Sequence, residues 1–481
     1  MKQYLLLIIF LSCTFFGYGQ QTKQLKSIDK YIQKVIKINE IPGLAVGIVK
    51  DDKILFEKYY GIENLENFQK VNERSMFRVY STTKLISNVA VFQLVEKGRL
   101  SLDDKISKYL DNLPSAWQNV QVKNLLSHSS GIPDFANIND NFLPSASNRE
   151  VIDLLSKGKM EFETGNEYRY NQTNYLLLAM IIEEITGQTF EEFALKNQFY
   201  DSKKQIVFSS NSLEKIPNRV QKYTFDDKTK VFKKDLADLG KRSIPANGLA
   251  ITLPAFLEWT IHLSKNDFLN SDTKKIMWKP FDYKNKSYVF GHGWEISIVN
   301  NNYSYGFSGG NVSVFKIFPD NNLAIILMYN GSNSSPVQYQ IINHITGIIN
   351  ENLLDPYLYS EEEISTSNII GANEKKEIYG YRIENGKIIF SYRLPEPLKT
   401  EQINSLSVVG SFNNWNPEDA LYQMHAKNDS SFELVLPVDK FEKGKTYSFK
   451  FVMNNSGWLP TPNNALNLDG TTDNNLLFRV D

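Results

Sequence analysis

The residues whose types and spacing most directly suggest chemistry are Ser81 and Lys84, three positions apart at the start of an apolar segment. Residues three apart share one face of a helix, so the hydroxyl and the amine would lie together. A buried lysine loses proton affinity, and its neutral amine can then take the proton of a neighbouring hydroxyl. The same pattern also fits an ordinary helix start, with Ser81 as N-cap and Lys84 extended towards solvent.

The segment that follows Lys84 predicts a helix that is buried on nearly all sides. N–H groups at the start of such a helix point towards the place where negative charge develops on a substrate oxygen. A candidate nucleophile, a candidate base and anion-stabilising donors would therefore meet at one helix start. The apolar residues of this helix are Leu85, Ile86, Val89, Ala90, Val91, Phe92, Leu94 and Val95.

Further motifs follow along the chain in a fixed order. Together with Ser81–Lys84 they resemble the serine β-lactamase-like family, in the branch that contains class C β-lactamases, D-Ala-D-Ala carboxypeptidases and esterases. The resemblance extends over about residues 27 to 352. The segments that carry it are 77–80, 98–104, 125–133, Tyr170-Asn171-Gln172, 247–249, 291–294 and Phe307-Ser308-Gly309.

The resemblance implies a role for each site residue. Ser81 would be the nucleophile, Lys84 its proton partner and Tyr170 the second member of the acid/base pair. A tyrosine, whose ordinary pKa is about 10, acts as a base only beside a cation, and Lys84 is the cation available. The backbone N–H groups of Ser81 and Gly310 would form the oxyanion hole, with Ser308 in the third motif beside them. Without the motif, Tyr170 would be taken as one structural tyrosine among 25.

Two departures from the family pattern bear on the substrate. Gln172 stands where the family has Asn, and it keeps the amide on a longer stem. Phe307 stands where lactamases and transpeptidases have a Lys or His that holds the substrate carboxylate, and phenylalanine cannot donate a hydrogen bond. This favours a neutral or hydrophobic acyl substrate over β-lactams and peptidoglycan stems. An inactive descendant of the family remains an alternative.

Other patterns give weaker signals. Residues 306–310 satisfy the Gly-x-Ser-x-Gly pattern of α/β-hydrolases, but a strand follows them where that motif requires a helix, so Ser308 is disfavoured as nucleophile. The histidines are scattered without ligand spacing, so no metal site and no other cofactor is expected. His128 is interpreted as a structural residue beside the site. The five histidines are His128, His262, His292, His344 and His425.

Elements that would position these residues can be predicted from the hydrophobic pattern. The order of these elements predicts an α/β (α+β) fold, with one antiparallel sheet flanked by helices and a helical subdomain inserted into it. The third motif should stand at the start of the strand that edges the site. The expected elements are a helix over 28–36, a hairpin of strands at 44–49 and 54–60, a mainly helical region from about 81 to 264, strands at 288–290, 296–299, 312–318 and 323–329, and a closing helix over 336–349.

The chain divides into four segments by composition. The pattern of residues 1–19 predicts a secretory signal peptide, and its apolar run is too short to span a membrane. Residues 22–352 would form the hydrolase-like domain, 353–373 a linker, and 374–481 an all-β sandwich of the immunoglobulin-like kind. We therefore expect a periplasmic or secreted protein with no transmembrane segment. Lipid anchoring through Cys13 is disfavoured, because Cys13 lies inside the apolar run.

The C-terminal segment has its own resemblance. Residues 408–415, 447–451, 457–458 and 471–475 resemble a glycogen-binding type of carbohydrate-binding module. The resemblance implies that Trp415 and Trp458 stack on sugar rings, whose C–H faces are apolar. It further implies hydrogen bonds to sugar hydroxyls from Lys450, Thr472 and Asn474. The alternative is a sandwich that keeps the fold without glycan affinity.

The composition limits the classes of partner. The 53 Lys and Arg residues against 54 Asp and Glu leave a formal net charge of -1, without the basic excess that nucleic acid or anionic membranes attract. The single cysteine excludes a disulfide framework. The favoured function is an exported serine hydrolase that forms an acyl-enzyme on Ser81, most simply an esterase acting on a small acyl or ester substrate, with polysaccharide as a possible second ligand. Two alternatives remain: a non-catalytic glycan- or cell-wall-binding protein, and a β-lactamase or D-Ala-D-Ala carboxypeptidase.

Overall fold

The structure is a computed structural model that describes two compact units, one within 22–281 and 289–355 and one that takes 282–284 and the described residues from 378 onward. Within the described residues, no helix combines the length and the apolar character needed to cross a bilayer. The predicted signal peptide and most of the predicted linker lie outside these residues. The described residues are 22–138, 145–202, 205–226, 228–284, 289–333, 337–355, 378–394, 403–428, 431–455, 457–459, 461, 465, 467 and 475–480.

The first unit combines helices with antiparallel strands. Its helices are α1 (22–38), α2 (Lys84–Glu96), α3 (Val122–Leu126), α4 (Asn148–Leu155), α5 (Thr173–Thr186), α6 (Phe190–Gln198), α7 (Ile244–Asn247), α8 (Leu253–Ser264), α9 (Ser271–Trp278) and α10 (Gln338–Ile349). Its strands are β1 (Gly43–Lys50), β2 (Lys53–Gly61), β3 (Met76–Arg78), β4 (Ile206–Phe208), β5 (Tyr223–Asp226), β6 (Val231–Lys234), β7 (Leu249–Thr252), β8 (Glu295–Val299), β9 (Asn302–Gly309), β10 (Ser313–Phe318) and β11 (Leu323–Tyr329).

The main sheet has six strands in the order β2-β1-β11-β10-β9-β8, and every neighbouring pair is antiparallel. Its central strands β1 and β11 are buried along almost their whole length, because helices cover both faces. On one face, α1 and α10 pack onto side chains such as Val46 and Leu327. On the other, Phe256 of α8 stacks on Phe315 of β10 at a ring distance of 5.6 Å.

The inserted region between β2 and β8 contains more strand than the sequence suggested. It holds a three-stranded sheet in the order β3-β7-β4 and a separate hairpin of β5 and β6. The expectation of a mainly helical region from 81 to 264 is therefore only partly right. The four strands that lie within it are three or four residues long, too short for an alternating pattern to emerge.

The second unit is a β-sandwich made of two antiparallel sheets. One sheet has the order β12-β13-β16-β15, and in the other β17 pairs with β14, β18 and β19. Aromatic side chains form much of its core, including Phe390, Phe449 and Phe478. Its strands are β12 (Tyr381–Glu384), β13 (Lys387–Arg393), β14 (Leu406–Gly410), β15 (His425–Asn428), β16 (Ser431–Pro437), β17 (Thr446–Met453), β18 (Gly457–Trp458) and β19 (Leu476–Arg479).

The predicted fold class is confirmed: an antiparallel sheet flanked by helices is followed by a β-sandwich. The hairpin, the last two strands of the first unit and the closing helix all appear near their predicted positions. One strand, β9, was not predicted along its length, because its residues alternate weakly between apolar and polar. The third motif consequently lies at the end of β9 and not at the start of a strand. Of the strand expected at 288–290, Phe290 makes an isolated bridge to Glu295, and Tyr288 lies outside the described residues.

Phe315 gives a test of the packing between the sheet and α8. Its ring is fully buried and contacts the rings of Phe256, Trp259 and Trp294. Phe315→Ala should lower the free energy of unfolding of this unit by about 3–5 kcal/mol, since it leaves a cavity among rings. Ile298→Ala, on the half-exposed edge strand β8, is the matched control and should have little effect. Calorimetry should show the lower stability of Phe315→Ala only in the unfolding transition of the first unit. Equal effects of Phe315→Ala and Ile298→Ala would contradict this packing.

Candidate active site

Ser81 lies in a 3₁₀ turn, Tyr80–Thr83, that joins β3 to the start of α2. Contacts to two sheets fix this turn. The Leu249 backbone N–H donates to the Thr83 hydroxyl (3.0 Å), and the Thr82 and Ser313 hydroxyls are hydrogen-bonded at 2.9 Å. The nucleophile candidate is therefore held between the three-stranded sheet β3-β7-β4, called the small sheet below, and the end of the main sheet.

Lys84 is the first residue of α2, and its side chain is fully buried. Its ammonium group donates to the Gln172 Oε1 atom at 2.9 Å and to the Ala246 carbonyl oxygen at 3.0 Å. The rings of Tyr170 and Tyr175 lie 4.8 and 4.9 Å from Nζ. The helix start is thus not an ordinary capped one with an extended lysine, because Lys84 points into the protein.

Ser81, Lys84 and Tyr170 form one hydrogen-bonded group. The Tyr170 hydroxyl donates to Ser81 Oγ at 2.7 Å, and Lys84 Nζ lies 3.5 Å from the same oxygen. Ser81 and Tyr170 are each partly exposed, so a ligand can reach them, whereas Lys84 is sealed beneath. The arrangement can move a proton from Ser81 towards Lys84, either directly or through the Tyr170 oxygen.

Burial lowers the pKa of Lys84, because the charged amine has lost its water. Tyr170 and the carboxyl group of Asp134 act in the opposite direction and favour the charged amine. Asp134 is itself buried, which raises its pKa, while it accepts N–H bonds from Gln172 (3.0 Å) and Ala136 (3.1 Å). Asp134 directly follows the motif at 125–133, but no pattern in the sequence marks it as a site residue.

Gln172 shows what its longer side chain does at the family's Asn position. Its Oε1 atom accepts a hydrogen bond from Lys84, and its backbone N–H is fixed by Asp134. The side-chain amide of Gln172 therefore reaches Lys84 in this structure. Gln172 is thus held at two points, its backbone N–H by Asp134 and its side-chain amide by Lys84.

The end of β9 passes close to Ser81 on the other side. A methyl group added at Gly309 would overlap the Val79 carbonyl oxygen and lie 2.8 Å from the Ser81 backbone nitrogen. A methyl group at Gly310 would lie 2.6 Å from the Tyr80 ring. Tyr80 has a left-handed backbone (φ +45°), which is unfavourable for a bulky residue. This close approach places the backbone of Gly309 against that of Ser81 and Gly310 against the Tyr80 ring.

Phe307 and His128 form an aromatic wall beside Tyr170. The Tyr170 ring lies 6.3 Å from the Phe307 ring and 4.8 Å from His128. Phe307 is buried and also contacts Phe290. His128 Nδ1 accepts the Asn171 backbone N–H, and burial holds the pKa of His128 well below its usual range, so its imidazole is neutral. This wall is apolar and supplies no cation for a carboxylate.

Ser308 is not part of the Ser81 group. Adjacent residues in a strand point to opposite faces, and Phe307 occupies the face towards Tyr170. The Ser308 hydroxyl is hydrogen-bonded to the Tyr339 hydroxyl on α10. Strand β10 follows this segment, so the helix required by the Gly-x-Ser-x-Gly motif is absent at this point of the described chain.

In the second unit, the structure brings two of the sugar-binding candidates together. The Trp415 and Trp458 rings lie 6.1 Å apart, and Trp458 is 51% exposed. Lys450 is partly buried on β17, opposite Val409. Thr472 and Asn474 lie outside the described residues.

A group of possible metal ligands occurs in the first unit, apart from the residues discussed so far. It consists of Asp201, Glu258 and His262. Glu258 stands four residues before His262 on α8 and shares its face, a spacing that the sequence expectation of no metal site did not consider. The Glu-x-x-x-His spacing was the available signal in the sequence.

Comparison with known proteins agrees with the fold and the motifs. The family model described as Beta-lactamase matches residues 28–344, and the chain belongs to that family. Protein flp of Staphylococcus aureus is 28% identical over 174 residues, which is 35% of each chain. Penicillin-binding protein 4* of Bacillus subtilis is 26% identical over 259 residues, 50% of this chain and 56% of that protein. The matches therefore span about a third to just over half of these relatives.

Similarity also extends to solved structures. The structure described as EstCE1, a hydrolase with promiscuous acyltransferase activity, superposes with a TM-score of 0.56 at 15% identity, covering 71% of this chain and 100% of that one. At this identity the likeness establishes the shared fold.

The lowered pKa of Lys84 predicts a pH profile for any reaction that needs its neutral amine. Such activity should rise with pH through a midpoint below the ordinary lysine value of 10.5, since the neutral form accumulates above the lowered pKa. Lys84→Arg keeps the charge but cannot lose it, so kcat/KM should fall by about 10²- to 10⁴-fold and the rising limb should vanish.

Lys84→Met is the matched control for folding, because an unbranched apolar side chain suits a fully buried position. It should fold and be equally inactive. An Arg variant that retains both the activity and the rising limb would show that Lys84 is not the proton acceptor.

Proposed function

We propose that this protein is a serine hydrolase that cleaves esters or related acyl compounds through an acyl-enzyme on Ser81. The observation that carries the proposal is the convergence on Ser81 Oγ of the Tyr170 hydroxyl at 2.7 Å and the Lys84 amine at 3.5 Å. Membership of the beta-lactamase family supports it. Both proton-handling groups lie where a nucleophilic serine needs them.

The proposed reaction proceeds in two steps. Ser81 Oγ attacks the carbonyl carbon while its proton passes to Lys84, directly or by way of the Tyr170 oxygen. The resulting oxyanion accepts hydrogen bonds from the Ser81 and Gly310 N–H groups. The intermediate then expels the alcohol, which takes up the proton and leaves the acyl group on Ser81. Water attacks this ester in the same way, releases the acid and restores Ser81.

A neutral or hydrophobic acyl group is the proposed substrate class. Phe307 occupies the position of the carboxylate-binding residue and packs against Tyr170 and Phe290, so the site offers an apolar wall there. EstCE1, whose fold this chain shares, is described as a hydrolase with promiscuous acyltransferase activity, which agrees with acyl chemistry on this fold. The apolar wall at Phe307 also weighs against a β-lactamase or a D-Ala-D-Ala carboxypeptidase.

A fluorophosphonate probe with mass mapping tests the nucleophile. The probe should label Ser81, and Ser81→Ala should lose both labelling and ester hydrolysis. Ser308→Ala is the matched control, because Ser308 lies in the Gly-x-Ser-x-Gly pattern but its hydroxyl is hydrogen-bonded to Tyr339 on the other face of the sheet. It should retain labelling. Labelling that persists in Ser81→Ala and disappears in Ser308→Ala would reverse the assignment. Stable acylation of Ser81 by penicillin would favour the lactamase or peptidase alternative.

A second candidate function is glycan binding by the sandwich. The paired rings of Trp415 and Trp458, one of them half exposed, suit the apolar face of a sugar. This supports either an enzyme with a polysaccharide anchor or, if no ester is turned over, a non-catalytic binding protein. Lys450, Thr472 and Asn474 remain proposed partners for sugar hydroxyls.

Affinity electrophoresis in glycogen and other polysaccharides tests this surface. Trp415→Ala and Trp458→Ala should each abolish the retardation, since stacking on one indole is lost. Leu421→Ala, which removes another exposed apolar side chain of the same unit, should leave it unchanged. Wild-type protein that migrates freely in every gel would remove the proposal.

Export is proposed from the apolar segment at 1–19, with a periplasmic or secreted location for the mature chain. The N-terminal sequence of protein recovered from the producing cell would test it. A chain that begins near residue 20 supports export, and an intact Met1 opposes it.

A further inference from the structure

A second group of ligating side chains lies between the turn that follows α6 and the last two turns of α8. The candidate ligand atoms of Asp201, Glu258 and His262 lie within 4.8 Å of one another. A shallow cleft exists at this place, and residues from both segments line it, including these three, Tyr200 and Trp259. Only the tertiary structure joins Asp201 to the two α8 residues.

His262 is hydrogen-bonded to a carboxylate outside the candidate ligand group. Its Nδ1 atom lies 2.6 Å from an Asp267 carboxylate oxygen, which can accept the Nδ1 proton of the tautomer whose Nε2 binds a metal. The Tyr200 ring packs against the imidazole at 5.4 Å and helps to fix its plane. A carboxylate behind a histidine is the usual outer support of a metal-bound imidazole, because it sets the tautomer and raises the basicity of the other nitrogen.

The charges around the cleft favour a cation. Among the described residues, neither Asp201 nor Glu258 takes part in an ion pair with a basic side chain. Two unpaired carboxylates therefore meet the His262 imidazole in a small space, and Asp267 is hydrogen-bonded to the same ring.

We propose that Asp201, Glu258 and His262 bind a divalent transition metal ion, Zn²⁺, with water at the remaining position. One nitrogen and two carboxylate ligands suit Zn²⁺, whereas Ca²⁺ and Mg²⁺ prefer oxygen alone. The ion would tie the turn after α6 to α8. Gln198 borders the cleft, accepts from Trp259 Nε1 at 3.0 Å and donates to the Ile86 carbonyl at 3.0 Å, which links the site to helix α2.

Isothermal titration of chelator-treated, full-length protein with zinc chloride tests the proposal. The wild type should bind one Zn²⁺ per chain and show a higher unfolding temperature when zinc is present. Glu258→Gln and His262→Ala should each weaken binding at least about tenfold, since each removes one of three protein ligands. Asp201→Asn, at an exposed position, should do the same.

His425→Ala is the matched control, because His425 is an exposed histidine of the second unit. It should bind zinc as the wild type does. Zinc affinity that is unchanged in all three ligand variants, or absent from the wild type, would overturn the site. Equal stabilisation by Ca²⁺ would overturn the assignment to a transition metal.

Discussion

The burial of one lysine is the constraint on which the rest of the site depends. A charged amine without water is costly unless hydrogen-bond acceptors replace it or the proton leaves. Around Lys84 the protein supplies the Gln172 amide, the Ala246 carbonyl and two tyrosine rings. These groups hold the amine in place, and burial lowers its pKa. The proposed proton transfer from Ser81 to Lys84 depends on that lowered pKa, so the burial that is costly for folding is also what the proposed chemistry requires.

The sheets serve this arrangement by bringing backbone close to Ser81. The small sheet anchors the turn through Leu249 and Thr83, while the end of β9 passes against it where Gly309 has no side chain. The main sheet separates two environments: Phe307 belongs to the aromatic wall beside Tyr170, and Ser308 faces α10. Strand β9 thereby gives the site an apolar side through Phe307.

Several parts of this arrangement were predictable because the physical signal is local. The hairpin of β1 and β2, helix α10 and the all-β character of the second unit follow from apolar periodicity over consecutive residues. Strands β4 and β7 escaped prediction because three or four residues carry no period, and β9 because its sequence alternates weakly. Asp134 was missed because its contact is with the backbone N–H of Gln172, which lies 38 positions away along the chain.

By itself, the sequence determined the class of fold, the order of the motifs and the identities of Ser81, Lys84 and Tyr170, since residue types and short spacings are written in it directly. Only the tertiary structure decided that Lys84 is fully buried, that Gln172 reaches it, and that Asp201 meets Glu258 and His262. The physical reason is that burial and electrostatic environment arise from segments distant along the chain. A pKa shift or a ligand set exists only once those segments have packed together.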